Sequence, residues 1–268
     1  MQFDLKLRKA GILKHIKDRK FFRYDGLTFH YGKEDAGIAE FIETNGDYEC
    51  ETRKAIYSLL QNGSIFMDLG ANIGFYTLLA GKIVGLSGKV YSFEPTPTTR
   101  DFLLKNVLEN NLSDIVSVEG YAISDCSGTA TFALGNQSEC NAITKSAERK
   151  ESCITVPTVS IDEYCKANRI VRLNVIKMDI EGQELKAISG MREINKTSPD
   201  LKLIFEFHAV NVKNNNQKAK DFFEMLISYG FTKFTALLTD PIEFAKGDDY
   251  RFIERLAMRH NVNILAEK

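Results

Sequence analysis

Apolar and polar positions along this chain follow two periods, and each switch between them marks an element. Ile65, Phe66, Met67 and Leu69 make a short apolar run that ends in the small residues Gly70, Ala71 and Gly74. The period then turns helical, with Phe75, Leu79 and Ile83 at i, i+4 and i+8. The pattern predicts a strand, a tight turn and a helix, with Asp68 at the carboxyl end of the strand. In open α/β sheets the ligand crevice lies outside the carboxyl ends of the strands, so this turn is the expected ligand site.

The same rhythm continues downstream. Lys89–Glu94 reads as a strand closed by Pro95, Thr98–Asn110 as a helix, and Asp114–Glu119 as a third strand. It resumes with a strand at Asn174–Asp179, a helix at Gly182–Met191, a strand at Leu201–His208 and a helix from Ala219 to Tyr229 stopped by Gly230. Strands separated by helices of this length imply right-handed βαβ units and a mostly parallel sheet. Between the two runs the period breaks. Thr129–Ala133 and Ile154–Val159 read as β-segments around a polar loop, Gly135–Ser152, and Ile161–Asn168 as a short helix. A loop of that length in a compact domain is usually functional or disordered. At the C-terminus Phe231–Leu238 and Asn263–Ala266 are weaker strand signals, and Asn214–Asn216 marks a loop. Upstream, Tyr24–Tyr31 reads as a turn and a short strand, and Glu49–Leu60 as a helix. The expected organisation is an accessory N-terminal segment, 1–60, and one domain, 61–268, with an insertion at about 129–160.

Composition narrows the class without naming a function. Hydrophobic content of 44% and a formal net charge of -1 are ordinary for a globular protein and give no bulk attraction to nucleic acid. Residues 5–23 carry eight basic side chains against one acid, with Ile12, Leu13, Ile16, Phe21 and Phe22 interleaved. Such a basic amphipathic stretch fits either an accessory helix packed on the core or weak contact with an anionic membrane surface. The five cysteines are odd in number and lack Cys-x-x-Cys spacing, which argues against a disulfide framework or a zinc site. No apolar run approaches the ~20 residues of a membrane helix. The N-terminus lacks a signal-peptide core, so the cytoplasm is the expected location.

The first turn, Asp68-x-Gly70-x-Asn72-x-Gly74, is not the Gly-x-Gly-x-x-Gly dinucleotide fingerprint. It suits an amino-acid-like ligand better than a diphosphate, with a carboxylate at the helix N-terminus and Asp68 facing an ammonium. Glu94, at the end of the next strand, can accept both hydroxyls of a ribose. Acids at the ends of the first two strands, in this order, form the pattern for S-adenosylmethionine.

Asp68-Leu-Gly-Ala-Asn-Ile-Gly74-Phe-Tyr-Thr77, Phe93-Glu94-Pro95, Ala122-Ile-Ser-Asp125, Val159-Ser-Ile-Asp162-Glu-Tyr and Ile176-Lys-Met-Asp179-Ile-Glu181-Gly182-Gln-Glu184 together resemble the FkbM-type methyltransferases. The resemblance implies a Rossmann-like class I methyltransferase fold of α/β class. Its mostly parallel seven-stranded sheet has helices on both faces and an antiparallel last strand. It also implies S-adenosylmethionine as cofactor and O-methylation of a small molecule or sugar. Carried over by position, Asp68, Gly70, Ala71 and Asn72 hold the methionine part, Glu94 and Pro95 the ribose, and Tyr121 and Ala122 border the adenine. No acid stands directly at that last position; Glu119 and Asp125 flank it.

Methyl transfer to an alcohol needs an acceptor oxygen aligned with the methyl–sulfur bond and a base for its proton. Asp179, Glu181 and His208, at the ends of the fourth and fifth strands, are the expected catalytic groups. Lys177 and Glu206 could instead form a buried structural pair. No metal-ligand spacing is present, so no metal is expected. The leading expectation is an S-adenosylmethionine-dependent O-methyltransferase acting on a hydroxyl of a sugar, glycan or secondary metabolite. Two rivals are a non-catalytic S-adenosylmethionine-binding module and a nicotinamide-dependent oxidoreductase.

Overall fold

The computed structural model describes residues 21–33, 35–133, 142–143, 153–208, 217–258 and 261–268. Most of the basic N-terminal stretch, the polar loop at 135–152 save two residues, and the Asn214–Asn216 run lie outside them. Phe21–Tyr24 is not helical. It forms strand β1, paired antiparallel with β2 (Leu27–His30) across a turn in which Asp25 and Gly26 take positive φ. Two helices follow, α1 (Ala36–Asn45) and α2 (Cys50–Leu59).

The main sheet uses β3 (Ile65–Leu69), β4 (Lys89–Phe93), β5 (Val116–Glu119), β10 (Val175–Met178), β11 (Lys202–Phe207), β12 (Lys233–Ala236), β13 (Ile242–Ala245) and β14 (Val262–Glu267). Its order is β13-β12-β14-β11-β10-β3-β4-β5. The five strands from β5 to β11 are parallel, and β14 runs antiparallel between β11 and β12. This is the expected sheet with one strand more than seven, because β13 folds back on β12 at the edge. The connecting helices are α3 (Phe75–Val84) and α4 (Pro97–Glu109) on one side of the chain's midpoint. Beyond it come α5 (Ile161–Ala167), α6 (Glu184–Ser189), α7 (Arg192–Thr197), α8 (Ala219–Ser228) and α9 (Arg251–Ala257). A second sheet, β6-β9-β7-β8, joins β6 (Ala122–Ser124), β7 (Gly128–Ala133), β8 (Ala142–Ile143) and β9 (Cys153–Ser160).

Burial on both faces explains why the central strands are apolar runs rather than alternating ones. Met67, Ile176 and Phe205 point into one cluster with Phe222 and Phe223 of α8. Their neighbours Phe66, Val175 and Ile204 point into the other, which holds Leu79 of α3 and Phe22 and Phe29 of the N-terminal hairpin. The hairpin is also tied down by polar contacts. Asn106 of α4, fully buried, accepts from His30 N at 2.6 Å and donates to His30 O at 2.9 Å and Ile73 O at 2.8 Å. One side chain therefore links the hairpin, α4 and the glycine turn.

Two helix boundaries depart from the periodicity. The helix expected over 182–191 starts only at Glu184, because Glu181 and Gly182 both take left-handed φ (51° and 91°) that no helix accommodates. It ends at Ser189 and is followed by the separate α7, whose first turn is capped from elsewhere: Asp162 accepts from Glu193 N at 2.9 Å and Ile194 N at 2.8 Å. Cys50, Cys126 and Cys165 are free thiols. No described helix is long and apolar enough to cross a membrane.

Candidate active site

Parallel strands deliver their carboxyl ends to one edge, and that edge holds a cavity of about 360 Å³. Asp68, Gly70, Ala71, Asn72, Glu94, Pro95, Tyr121, Ala122, Asp179, Glu181 and His208 all line it. So do groups not singled out from the sequence, including Tyr48, Glu49, Tyr76, Gln183 and Asn261.

The glycine turn is fixed by its own amides. Gly70 N and Ala71 N both donate to Phe93 O, at 3.0 and 2.9 Å, and Gly74 N donates to Ala71 O at 2.8 Å. Asn72 N donates to Glu94 Oε2 at 3.1 Å, and Ile73 N to Asn72 Oδ1 at 2.6 Å. The amides of Gly70 to Gly74 are thus engaged within the chain. Gly70 takes φ of +78°, and a Cβ there would overlap the carbonyl of Asp179, so β3 and the end of β10 approach closely only because this residue is glycine.

Register places the charges. Lys177 of β10 is the direct neighbour of Asp68 on β3, and both side chains leave the same face of the sheet. Lys177 is 2% exposed; its Nζ donates to Asp179 Oδ2 at 3.1 Å and sits 4.8 Å from the Tyr76 ring centre. Its ion pair therefore goes to Asp179 and not to Glu206, contrary to the pairing expected from the sequence. The geometry has a simple cause: Asp179 lies two residues along the same strand face, whereas the register partner of Lys177 on β11 is Ile204.

Burial alone would pull the Lys177 ammonium down, but Asp179, Asp68 and Glu49 more than offset this and hold it above its ordinary value. Burial pushes the Asp68 carboxyl up, with Lys177 and Thr77 opposing. Thr77 Oγ1 donates to Asp68 Oδ2 at 2.7 Å, while Asp68 Oδ1 is buried and has no partner among the described residues. Glu49 is raised as well, first by burial; its Oε2 accepts from Tyr76 OH at 2.8 Å and Asn263 Nδ2 at 3.1 Å. Glu206 is raised too, first by burial and then by the charges of Asp179 and Glu181. Glu94 is pushed to about 7 by burial, against amide donors at Thr96 and Asn72.

The acids flanking Tyr121 and Ala122 do not reach the cavity. Glu119 accepts from Tyr164 OH at 2.8 Å, and Asp125 accepts from Ser124 Oγ at 3.0 Å. Glu184 is also structural: its Oε1 accepts from Ile180 N at 3.0 Å and Gly182 N at 3.2 Å, pinning the turn after β10. Three of the six described non-glycine residues with positive φ, Glu49, Asn72 and Glu181, line the cavity. Glu49 carried little local signal: it enters from the start of α2, far from any strand end.

A family model described as the Methyltransferase FkbM domain matches residues 68–233. The hexuronic acid methyltransferase AglP of Haloferax volcanii is 30% identical over 134 residues, covering 49% of this chain and 51% of that protein. Methyltransferase sdnD of Sordaria araneosa is 26% identical over 163 residues, covering 50% and 62%. The chain thus spans about half to three-fifths of the length of these relatives. Among solved structures it is similar to an S-adenosylmethionine-dependent O-methyltransferase from Thermotoga maritima, at 11% identity and a TM-score of 0.47, covering 92% of this chain and 77% of that one.

Proposed function

The chain belongs to the FkbM methyltransferase domain family, and on that premise we propose that it methylates a hydroxyl of a sugar, glycan or other secondary metabolite. It is an S-adenosylmethionine-dependent methyltransferase, and the cofactor's sulfonium supplies an electrophilic methyl group. The observation that carries the O-methyl reading is the single cavity on which the proposed cofactor-binding and acid–base residues converge.

The residues present fit the cofactor. The buried, unpartnered Asp68 Oδ1 would be satisfied by the ammonium of the methionine part, beside Gly70, Ala71 and Asn72. Glu94 uses one lone pair on each oxygen for Asn72 N and Thr96 N, and a carboxylate has about four, so each oxygen can still accept a ribose hydroxyl next to Pro95. Tyr121, 37% exposed, offers an aromatic face at the rim beside Ala122, where a base would lie.

Asp179, Glu181 and His208 are proposed to orient the acceptor hydroxyl and take its proton. Asp179 is held in place by Lys177, which makes it suited to orienting the acceptor; His208 and Glu181 are then the proton acceptors. Asp179→Asn, Glu181→Gln and His208→Ala should keep cofactor affinity in calorimetry while turnover falls by about 10²–10⁴ in at least one of the latter two. Full turnover in all three would refute the assignment.

The described lining carries six carboxyl side chains against the Lys177 ammonium, which is already paired with Asp179. This supports an uncharged or amino-bearing acceptor in preference to a uronate. Neutral hexosides should therefore be methylated faster than hexuronates in a matched panel; the reverse order would remove that reading.

A further inference from the structure

We propose that Gln183 reads the adenine end of the cofactor, its Oε1 accepting a hydrogen bond from the exocyclic amino group. The inference rests on the cofactor orientation proposed above and adds a specificity residue to it. Gln183 is 6% exposed, lines the cavity, and buries Oε1 without a partner among the described residues. Buried side-chain oxygens are rarely left in that state, so the missing donor belongs to a ligand.

The backbone holds the side chain there. Glu181 and Gly182 reverse the chain with left-handed φ, and Glu184 Oε1 clamps the amides of Ile180 and Gly182. Gln183 N donates to Ile180 O at 3.3 Å, and Gln183 O accepts from Ala187 N at 3.0 Å. The helix that begins here, α6, packs on β6, whose Ala122 and Ile123 line the same cavity. At the far end of α6 a Cβ on Gly190 would come within 2.8 Å of Ser124 O, so helix and strand are in close contact along this side.

The donors of S-adenosylmethionine can be divided among the acceptors present. Asp68 meets the ammonium and Glu94 the ribose hydroxyls. The amino group of adenine remains, on the side where Glu119 and Asp125 are both turned to other partners. A carboxamide matches that edge of the base, because its oxygen accepts from the amino group while its nitrogen can donate to a ring nitrogen.

The test is calorimetry on the full chain with S-adenosylhomocysteine and S-inosylhomocysteine, in which a carbonyl replaces the 6-amino group. The unmodified protein should prefer the adenosyl compound by about tenfold or more. Gln183→Leu should weaken the adenosyl compound about tenfold, leave the inosyl compound nearly unchanged and so abolish the preference. Gln183→Glu keeps an acceptor at the same reach and should retain the preference. A preference that survives in Gln183→Leu overturns the proposal, as does one lost in Gln183→Glu, which still carries the test if the leucine variant does not fold. Unchanged affinities with a fall in kcat/KM for the acceptor would place Gln183 on the acceptor instead and also overturn it. If the unmodified protein binds neither compound, it is the cofactor orientation above that fails.

Discussion

Replacing Lys177 by methionine tests the electrostatic core of the site. At 3.1 Å from Asp179 and an effective dielectric of about 20, the pair attracts by about 5 kcal/mol. Desolvation of the ammonium offsets much of that, so the pair itself adds little net stability. The damage comes from what remains. Asp68 is 1% exposed and Glu49 is half-buried, and Lys177 is the cation that favours the charged form of both. Stranding buried carboxyl groups in this way costs about 3–5 kcal/mol. Urea unfolding followed by circular dichroism at about pH 8 should show that loss.

The pH dependence of the deficit supplies a second check. The folded pKa of Lys177 is raised, so its own contribution is fully present below the unfolded lysine value of about 10.4 and is flat across the assay. Asp68 and Glu49 are raised too, and without Lys177 they rise further. The folded variant then binds more protons than the unfolded chain, so its stability increases as pH falls toward the unfolded carboxyl values near 4. The deficit should therefore shrink between about pH 8 and pH 5. A loss under about 1 kcal/mol, or an equal loss at both pH values, would refute the reasoning.

Gly70→Ala combines left-handed φ with overlap onto the Asp179 carbonyl, and should cost more than about 3 kcal/mol in denaturant unfolding; a loss below about 1 kcal/mol would mean that the turn can shift. Asp162→Ala removes the acceptor for two amides at the start of α7 and should cost about 1–2 kcal/mol while turnover per folded molecule stays unchanged, as measured by melting and initial rates. Glu184 is held at about 7 by burial, so its contribution to stability is present below the unfolded value near 4.5 and lost as pH rises through 7. Glu184→Gln keeps the acceptor oxygen and should flatten that fall by up to about 3 kcal/mol, read from unfolding curves across the window.

The motif residues shared with the family divide into two sets only in three dimensions. Asp68, Glu94, Asp179 and Glu181 reach the cavity, while Asp162, Glu163 and Glu184 cap helices or pin a turn. As bare sequence the two sets look alike, because an acid that begins a helix and an acid that ends a strand both sit beside small residues. Gln183 stands within the last motif, but no periodicity marks a side chain whose orphaned oxygen can be recognised only from its burial.

What the amino-acid sequence determined by itself was the alternation of apolar strands and amphipathic helices, and with it the edge of the sheet where Asp68, Glu94 and Asp179 had to meet. Those properties are local: the period assigns the element, and parallel pairing brings every carboxyl end to one side. The tertiary structure alone decided that Lys177 lies beside Asp68 and answers Asp179, and that Glu49 and Tyr76 complete the charged floor. It also decided that Asn106 binds the N-terminal hairpin to the glycine turn. Each of these joins segments distant in sequence through strand register or helix packing, and neither leaves a period in the chain to be read.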